Sequence, residues 1–196
     1  MNELTIAIII KDPPKIKEFL EGNKDYLEQY FVLVINSSGG SSYAPFADLY
    51  EEKQLCLAEA RKYIIGLIQT PYVLILDADV IIPEGYPEMA LQLLKEGKVD
   101  AISIFYEDVT HNRGTLEFGC SIWKTKVLQE LYDYSFSINN SNKALVQVGP
   151  HHWSTLNNGW CECTYMWGKI KKYNLLLETL PFRARHLRTG GLNAKG

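Results

Sequence analysis

The sequence predicts a single α/β domain built on a mixed, mostly parallel sheet flanked by helices. Three observations carry this. Short runs rich in isoleucine and valine alternate with amphipathic stretches through the first hundred residues, the rhythm of β-α-β units. One of them, the apolar run that opens "LILDADVIIP" (Leu74 to Pro83), is too short to span a bilayer but suits a strand buried on both faces, with the two aspartates where it surfaces. No internal repeat, low-complexity tract or long linker divides the 196 residues, a length that fits one domain with a full core.

Leu4 to Ile10 reads as the first core strand, stopped by "KDPP", whose paired prolines cannot extend a strand and suit the entry of a helix. From Lys15 to Tyr30, Ile16, Phe19, Leu20 and Leu27 fall on one helical face, interrupted at Gly22 and Asn23. "YFVLVIN" is the second strand and ends at "SSGGSS", a loop where α/β folds place ligands. Phe46 to Gln69 reads as the strongest helix, striped by Leu49, Cys56, Leu57, Ala60, Ile64, Leu67 and Ile68. Thr70 and Pro71 end it before the Leu74 strand. A helix over Met89 to Leu94 leads through Gly97 to the strand "VDAISIFYED", and the chain extends again at "TLEFGCSIW". The later part is more irregular.

Composition narrows the classes. The 46% hydrophobic, 12% aromatic and 22% charged fractions are those of a folded globular chain, and a formal charge of −3 excludes a broad basic surface for nucleic acid. A local basic patch occurs near the C-terminus. No window approaches the ~20 apolar residues of a membrane helix. "MNELTIAIIIKD" has neither a basic leader nor a small-residue cleavage site, so no secretory signal is expected. The four cysteines are too sparse for a disulfide framework and favour a reducing, cytoplasmic setting.

On an extended backbone residues i and i+2 point the same way, so Asp77 and Asp79 can aim at one point beyond the strand end. Two close carboxylates repel unless one is protonated or a cation intervenes. A hard divalent ion resolves this, and Mg²⁺ or Mn²⁺ is commonly completed by waters and substrate phosphates. The competing reading is structural, since aspartates also cap turns at strand ends.

Residues 58 to 83, "AEARKYIIGLIQTPYVLILDADVIIP", resemble the nucleotide-sugar glycosyltransferases of the Rossmann-like GT-A fold, especially the inverting family 2. That family shows a helix arginine, a hydrophobic strand ending in Asp-x-Asp, and a proline shortly after. Arg61, Asp77, Asp79 and Pro83 match in order and spacing. The chain also resembles a small viral member of this fold from an archaeal host, which would place it in the host cytoplasm. The resemblance implies that residues 1–100 form a nucleotide-sugar-binding half, 101–186 an acceptor-side half and 187–196 a flexible tail. It implies that Asp79 ligates Mn²⁺ or Mg²⁺ at the diphosphate of a nucleoside-diphosphate sugar, that Asp77 contacts the ribose, the sugar or a metal-bound water, and that Arg61 approaches the nucleotide. A solvated helix cation is the plain alternative for Arg61. Asp12 and Asn36 stand where the family recognises the base, although asparagine both donates and accepts where an aspartate only accepts.

Inverting transfer needs a base for the acceptor hydroxyl, a glycan or protein of unknown identity. In the family this is the aspartate of a Glu-Asp pair opening a later helix. Here "NNGWCECTYMWGKI" offers one acid, Glu162, 83 residues beyond Asp79, and Cys163 stands in the place of the second. A glutamate at a helix start also has a purely electrostatic reason to be there. Trp153, Trp160, Tyr165 and Trp167 could stack on an acceptor or fill the core. His151, His152, Cys161 and Cys163 raise a zinc site, against which their spacing argues. The late His186 resembles a ligand that completes the metal shell in GT-A enzymes, and Arg183, Arg185 and Arg188 could neutralise a departing diphosphate or form a solvated tail. Two further readings stay open: a catalytically silent GT-A module that binds glycan or nucleotide, and a sugar-phosphate nucleotidyltransferase, whose glycine-rich loop "KDPPKIKEF" lacks.

Overall fold

The computed structural model describes residues 3–10, 15–37, 46–55, 57–107, 116–132, 146–149, 152–154 and 162–187. Leu4–Ile10 (β1) is buried at every position, as an apolar run without alternation requires. Phe31–Asn36 (β2) and Tyr72–Asp77 (β4) flank it in parallel, so that Ile9 lies opposite Ile35 on one side and Asp77 on the other. Leu49–Glu52 (β3) extends the sheet beyond β2, also in parallel. On the far side Cys120–Lys124 (β7) runs antiparallel between β4 and Ala101–Tyr106 (β6). Leu177–His186 (β10) pairs parallel with β6, and Val80–Ile81 (β5) closes the order β3-β2-β1-β4-β7-β6-β10-β5. Val146–Gly149 (β8) and His152–Ser154 (β9) form a separate antiparallel pair.

Side chains of β1 alternate between the two faces of the sheet, and each face carries a core. Leu4, Ile6, Ile8 and Ile10 pack with residues of Ile16–Gly22 (α1), Lys24–Gln29 (α2) and Tyr86–Lys95 (α4). Ala7 and Ile9 pack with residues of Leu57–Leu67 (α3), Thr125–Leu131 (α5) and Glu162–Lys172 (α6). Fully burying each such Ile or Leu is worth about 1.5–3 kcal/mol, which makes this double-faced sheet the main source of stability.

Three local features follow from single residues. Asn23 divides α1 from α2 and is buried, its amide Nδ2 donating to the carbonyls of Phe19 and Val80 while Oδ1 accepts the Ile82 N–H. It therefore ties the first helices to the strand following Asp79. Asn174, with φ of 52°, ends α6 in the left-handed conformation that asparagine tolerates. Its N–H donates to Lys171 and the Leu175 N–H to Ile170, the paired bonds of a Schellman stop. Pro181 lies where the β10–β6 register shifts between Thr179 and Arg183, a place where a missing N–H is tolerated.

Two expectations change. The helix expected over Phe46 to Gln69 is a strand followed by a shorter helix, because residues 49–52 satisfy the open edge of β2 and Asp48 accepts the Val32 N–H at 2.7 Å. The irregular C-terminal part contains β10, ten residues long and interior to the sheet. Arg183, Arg185 and His186 thus belong to a strand rather than a tail; Arg188 and the rest of residues 188–196 lie outside the described residues.

Candidate active site

The parallel strands end their carboxyl termini at one edge of the sheet, which brings Asn36, Asp77 and His186 to the same side. Asp77 is the last residue of β4, and its N–H donates to the Gly119 carbonyl at 2.8 Å. Arg61, in the middle of α3, is 1% exposed despite its charge. Its Nη2 donates to Asp77 Oδ1 at 2.7 Å, its Nε to Glu162 Oε1 at 3.2 Å, and Nη2 also approaches Glu162 Oε2 at 3.4 Å. The guanidinium sits 5.5 Å from the centre of the Phe118 ring, and Nη1 is buried without a hydrogen-bond partner among the described residues.

Burial disfavours the charge on Arg61, but the carboxylates of Glu162 and Asp77 outweigh it and raise its pKa, so it stays a cation. Glu162 opens α6, and Tyr132 donates to its Oε1 at 2.5 Å. Burial pushes the Glu162 carboxyl up, opposed by Arg61 and by the Tyr132 hydrogen bond. The helix cation of the solvated reading is therefore a buried counter-ion shared by two acids.

Asp79 forms a second pair. Its Oδ2 lies 3.1 Å from His186 Nε2, and its carbonyl accepts the Leu187 N–H at 2.6 Å. His186 is almost wholly buried and stacks on Tyr106, with ring centres 5.1 Å apart. The Tyr106 hydroxyl lies on the Asp77 side: a Cβ added to Gly119 would sit 3.0 Å from it and would collide with Asp77 Oδ2. Tyr106 thus spans the gap between the two acid pairs. Burial, then the Asp77 charge, raises the pKa of its phenol well above the ordinary value.

Asp77 and Asp79 are both partly exposed, one engaged through Oδ1 by Arg61 and the other through Oδ2 by His186. Among the described residues no three carboxylate, imidazole or thiol groups converge into a metal cage. Asp79 with His186 offers an oxygen and a nitrogen ligand, a set that fits a cation completed by water and phosphate oxygens.

Asn36 is buried at the end of β2, its Nδ2 donating to the Tyr50 hydroxyl at 2.8 Å, which in turn donates to Glu52. Asp12 lies outside the described residues, as do His151, Trp160 and Cys161; of His152 and Trp153 only the backbone is described, in β9. Tyr165, Trp167 and Cys163 pack partly buried against the α3–α5 core. Arg185 reaches Glu18 at 3.7 Å and Arg183 lies over Phe105. Sequence reading missed Tyr106, Gly119 and Tyr132. Only Gly119 had a local signal, a glycine inside an extended apolar stretch, which often marks a close approach. A separate surface groove of about 550 Å³, lined by Tyr30, Glu88, Leu91 and Lys95, lies at the opposite end of the strands.

No family model matches the chain, and no curated protein matches it either. Among solved structures, residues 1–349 of TarS from S. aureus superpose with a TM-score of 0.62 at 13% identity, over 95% of this chain and 60% of that one. The same fragment in complex with UDP-GlcNAc gives 0.63 at 13% identity over 97% and 60%. The bifunctional IspDF from Campylobacter jejuni gives 0.55 at 12% identity over 93% and 50%. The chain spans half to three-fifths of the length of these structures. At such identities the likeness is one of architecture: the fold is a single GT-A-like α/β domain, of the kind shared by TarS and IspDF.

Proposed function

We propose that the chain is a family 2-like glycosyltransferase that moves a sugar from a nucleoside-diphosphate donor to an acceptor hydroxyl. The observation that carries this is the meeting of Asp79 and His186, far apart in sequence, at the strand edge where Asp77 also ends. The complex of TarS with UDP-GlcNAc supports a nucleotide-sugar donor for this fold. Asp79 and His186 would hold Mg²⁺ or Mn²⁺, which supplies positive charge to a leaving diphosphate. Asp77, through the Oδ2 that is outside its ion pair with Arg61, contacts the donor. Asn36 would face the base, a role in which Asp12, outside the described residues, would share.

Glu162 is the proton acceptor in this reading. Its Oε1 already accepts from Tyr132 and Arg61, so the proton from the acceptor hydroxyl goes to Oε2, held only by the 3.4 Å contact. Arg61 keeps the two acids close without mutual repulsion.

A second reading has its own support. Because Glu162 is buried as the partner of both Arg61 and Tyr132, the same geometry also suits a structural role for this acid in a silent module that binds nucleotide or glycan. The likeness to IspDF keeps a nucleotidyltransferase in view.

The test is to incubate the protein with Mn²⁺ and a panel of nucleotide sugars and follow nucleoside diphosphate release by wild type, Asp79→Asn and Glu162→Gln. Release that both variants lose supports the proposal. Donor binding without turnover points to the module, and pyrophosphate released from a nucleoside triphosphate with a sugar phosphate points to the nucleotidyltransferase.

A further inference from the structure

The C-terminal end of α6 gathers charge and apolar surface in a way the site does not use. Lys169, Lys171 and Lys172 occupy its last turn. Each lies over an aromatic ring: Lys171 is 4.8 Å from the centre of Trp167, Lys172 is 5.2 Å from Tyr173, and Lys169 is 5.3 Å from Tyr165. Directly after the helix come the two most exposed large hydrophobic side chains among the described residues, Tyr173 at 50% and Leu176 at 56%. The left-handed Asn174 turns the chain between them. Neither Lys171 nor Lys172 has an ion-pair partner among the described residues, although the whole chain is net negative. The nearby acids are accounted for: Asp100, which accepts the Leu176 N–H, is paired with Lys124, and Glu178 stands exposed on β10.

We propose that this end of α6 is a docking surface for an anionic phospholipid bilayer. The exposed Tyr173 ring and Leu176 enter the interface while the ammonium groups of Lys171 and Lys172, both exposed at the end of the helix, meet the headgroups. An isolated cationic patch on an acidic protein meets its charge complement at anionic lipid. A nucleic acid or other polyanion would complement the lysines equally, but it offers nothing to the exposed Leu176, which decides for lipid. No helix among the described residues is long and apolar enough to cross the membrane, so the contact is peripheral. Lys172 lies ten residues beyond Glu162 along the helix, about 15 Å. β10 starts at this end and finishes at His186, so docking here leaves the Asp77–Asp79 edge facing away from the lipid. This inference stands independently of the reaction proposed above.

The test is cosedimentation of the full chain with vesicles of pure phosphatidylcholine and of equimolar phosphatidylcholine and phosphatidylglycerol. Binding is expected to the anionic vesicles alone, to weaken with salt, and to fall about tenfold or more in Lys171→Glu/Lys172→Glu. Leu176→Ser is expected to weaken it severalfold without changing its salt dependence. Thermal melting checks that the variants fold, and Leu176→Ser, uncharged and exposed, serves if the double variant does not. Equal binding to neutral vesicles, no binding to either, an unchanged double variant, or retention by heparin with no lipid binding would each overturn the proposal.

Discussion

Arg61 and Asp77 meet at 2.7 Å with the guanidinium buried and the carboxylate half in solvent, so one face of the candidate site is a buried cation carrying two acids. Removing the cation leaves Asp77 and Glu162 facing each other unscreened. Arg61→Met is expected to cost about 3–5 kcal/mol of stability, the range for breaking a buried pair from one side. Arg61→Lys is expected to recover part of this, as it keeps the charge but loses the fork that reaches both acids. Urea denaturation of the two variants measures the difference.

Gly119 is expected to be intolerant of any side chain for a reason local to the site. A Cβ there collides with Asp77 Oδ2 and crowds the Tyr106 hydroxyl, both able to move only at the expense of the site. Gly119→Ala should keep the fold, with a loss of about 1–3 kcal/mol from overpacking. Donor turnover should drop by at least about tenfold, since misplacing a positioned group costs that much or more. Unaltered turnover in a folded Gly119→Ala would remove Asp77 from the donor contact.

Glu162 sets an expected pH dependence. Its folded carboxyl binds the proton more tightly than in the unfolded chain because burial raises its pKa, with Arg61 and Tyr132 acting the other way. The ionised form needed to accept a proton is therefore reached at higher pH than for an ordinary glutamate, and the acid limb of the rate profile should be displaced upward in the same direction. Tyr132→Phe removes a contact that lowers the value, so the limb should move further up. The stability sign is the same. A group protonated more in the folded state loses stabilisation as pH rises from its unfolded value through its folded one, and Glu162→Gln should flatten that segment of a urea-midpoint profile.

Asn23 is expected to matter out of proportion to its distance from the reaction. Its amide satisfies three backbone groups, two of them on the segment after Asp79. Asn23→Leu leaves them buried and unpaired and should cost about 2–4 kcal/mol. Because Val80 and Ile82 shift with the loss, Mn²⁺-dependent protection against thermal unfolding should weaken as well. A variant with lowered melting temperature but intact Mn²⁺ protection would separate the brace from the site.

Much of this fold was legible because burial on both faces leaves a plain mark: β1, β2, β4 and β6 are predominantly apolar runs, interrupted inside only by Thr5 and Ser103, and each stands where the sequence places it. The edge strand β3 was not, because "LYEE" satisfies hydrogen bonds of β2 without a strong pattern of its own and continues the helical stripe of α3. β10 was hidden by Pro181 and by arginines that read as a solvated tail, while the register shift at that proline makes the strand workable. At the site, Asp77, Asp79, Arg61, Glu162 and His186 were all visible as residues. Their pairing was not: that Arg61 serves Glu162 across 101 positions, and that Tyr132 completes the set, is a product of packing α3, α5 and α6 on one face. Buried ion pairs of this kind have no spacing rule in sequence.

The place of β10 between β6 and β5 has a consequence for biogenesis. The strand that carries His186 is the last in sequence among the described strands yet lies within the sheet, and Asp79 is held from this end of the chain twice, through the imidazole and through the Leu187 amide. A nascent polypeptide emerging from the ribosome can pair β1, β2 and β4 early, but it exposes an unfinished seam at β6 until some eighty further residues have followed. The Asp79–His186 pair can therefore form only after β10 has been made, however well the first half has folded by then.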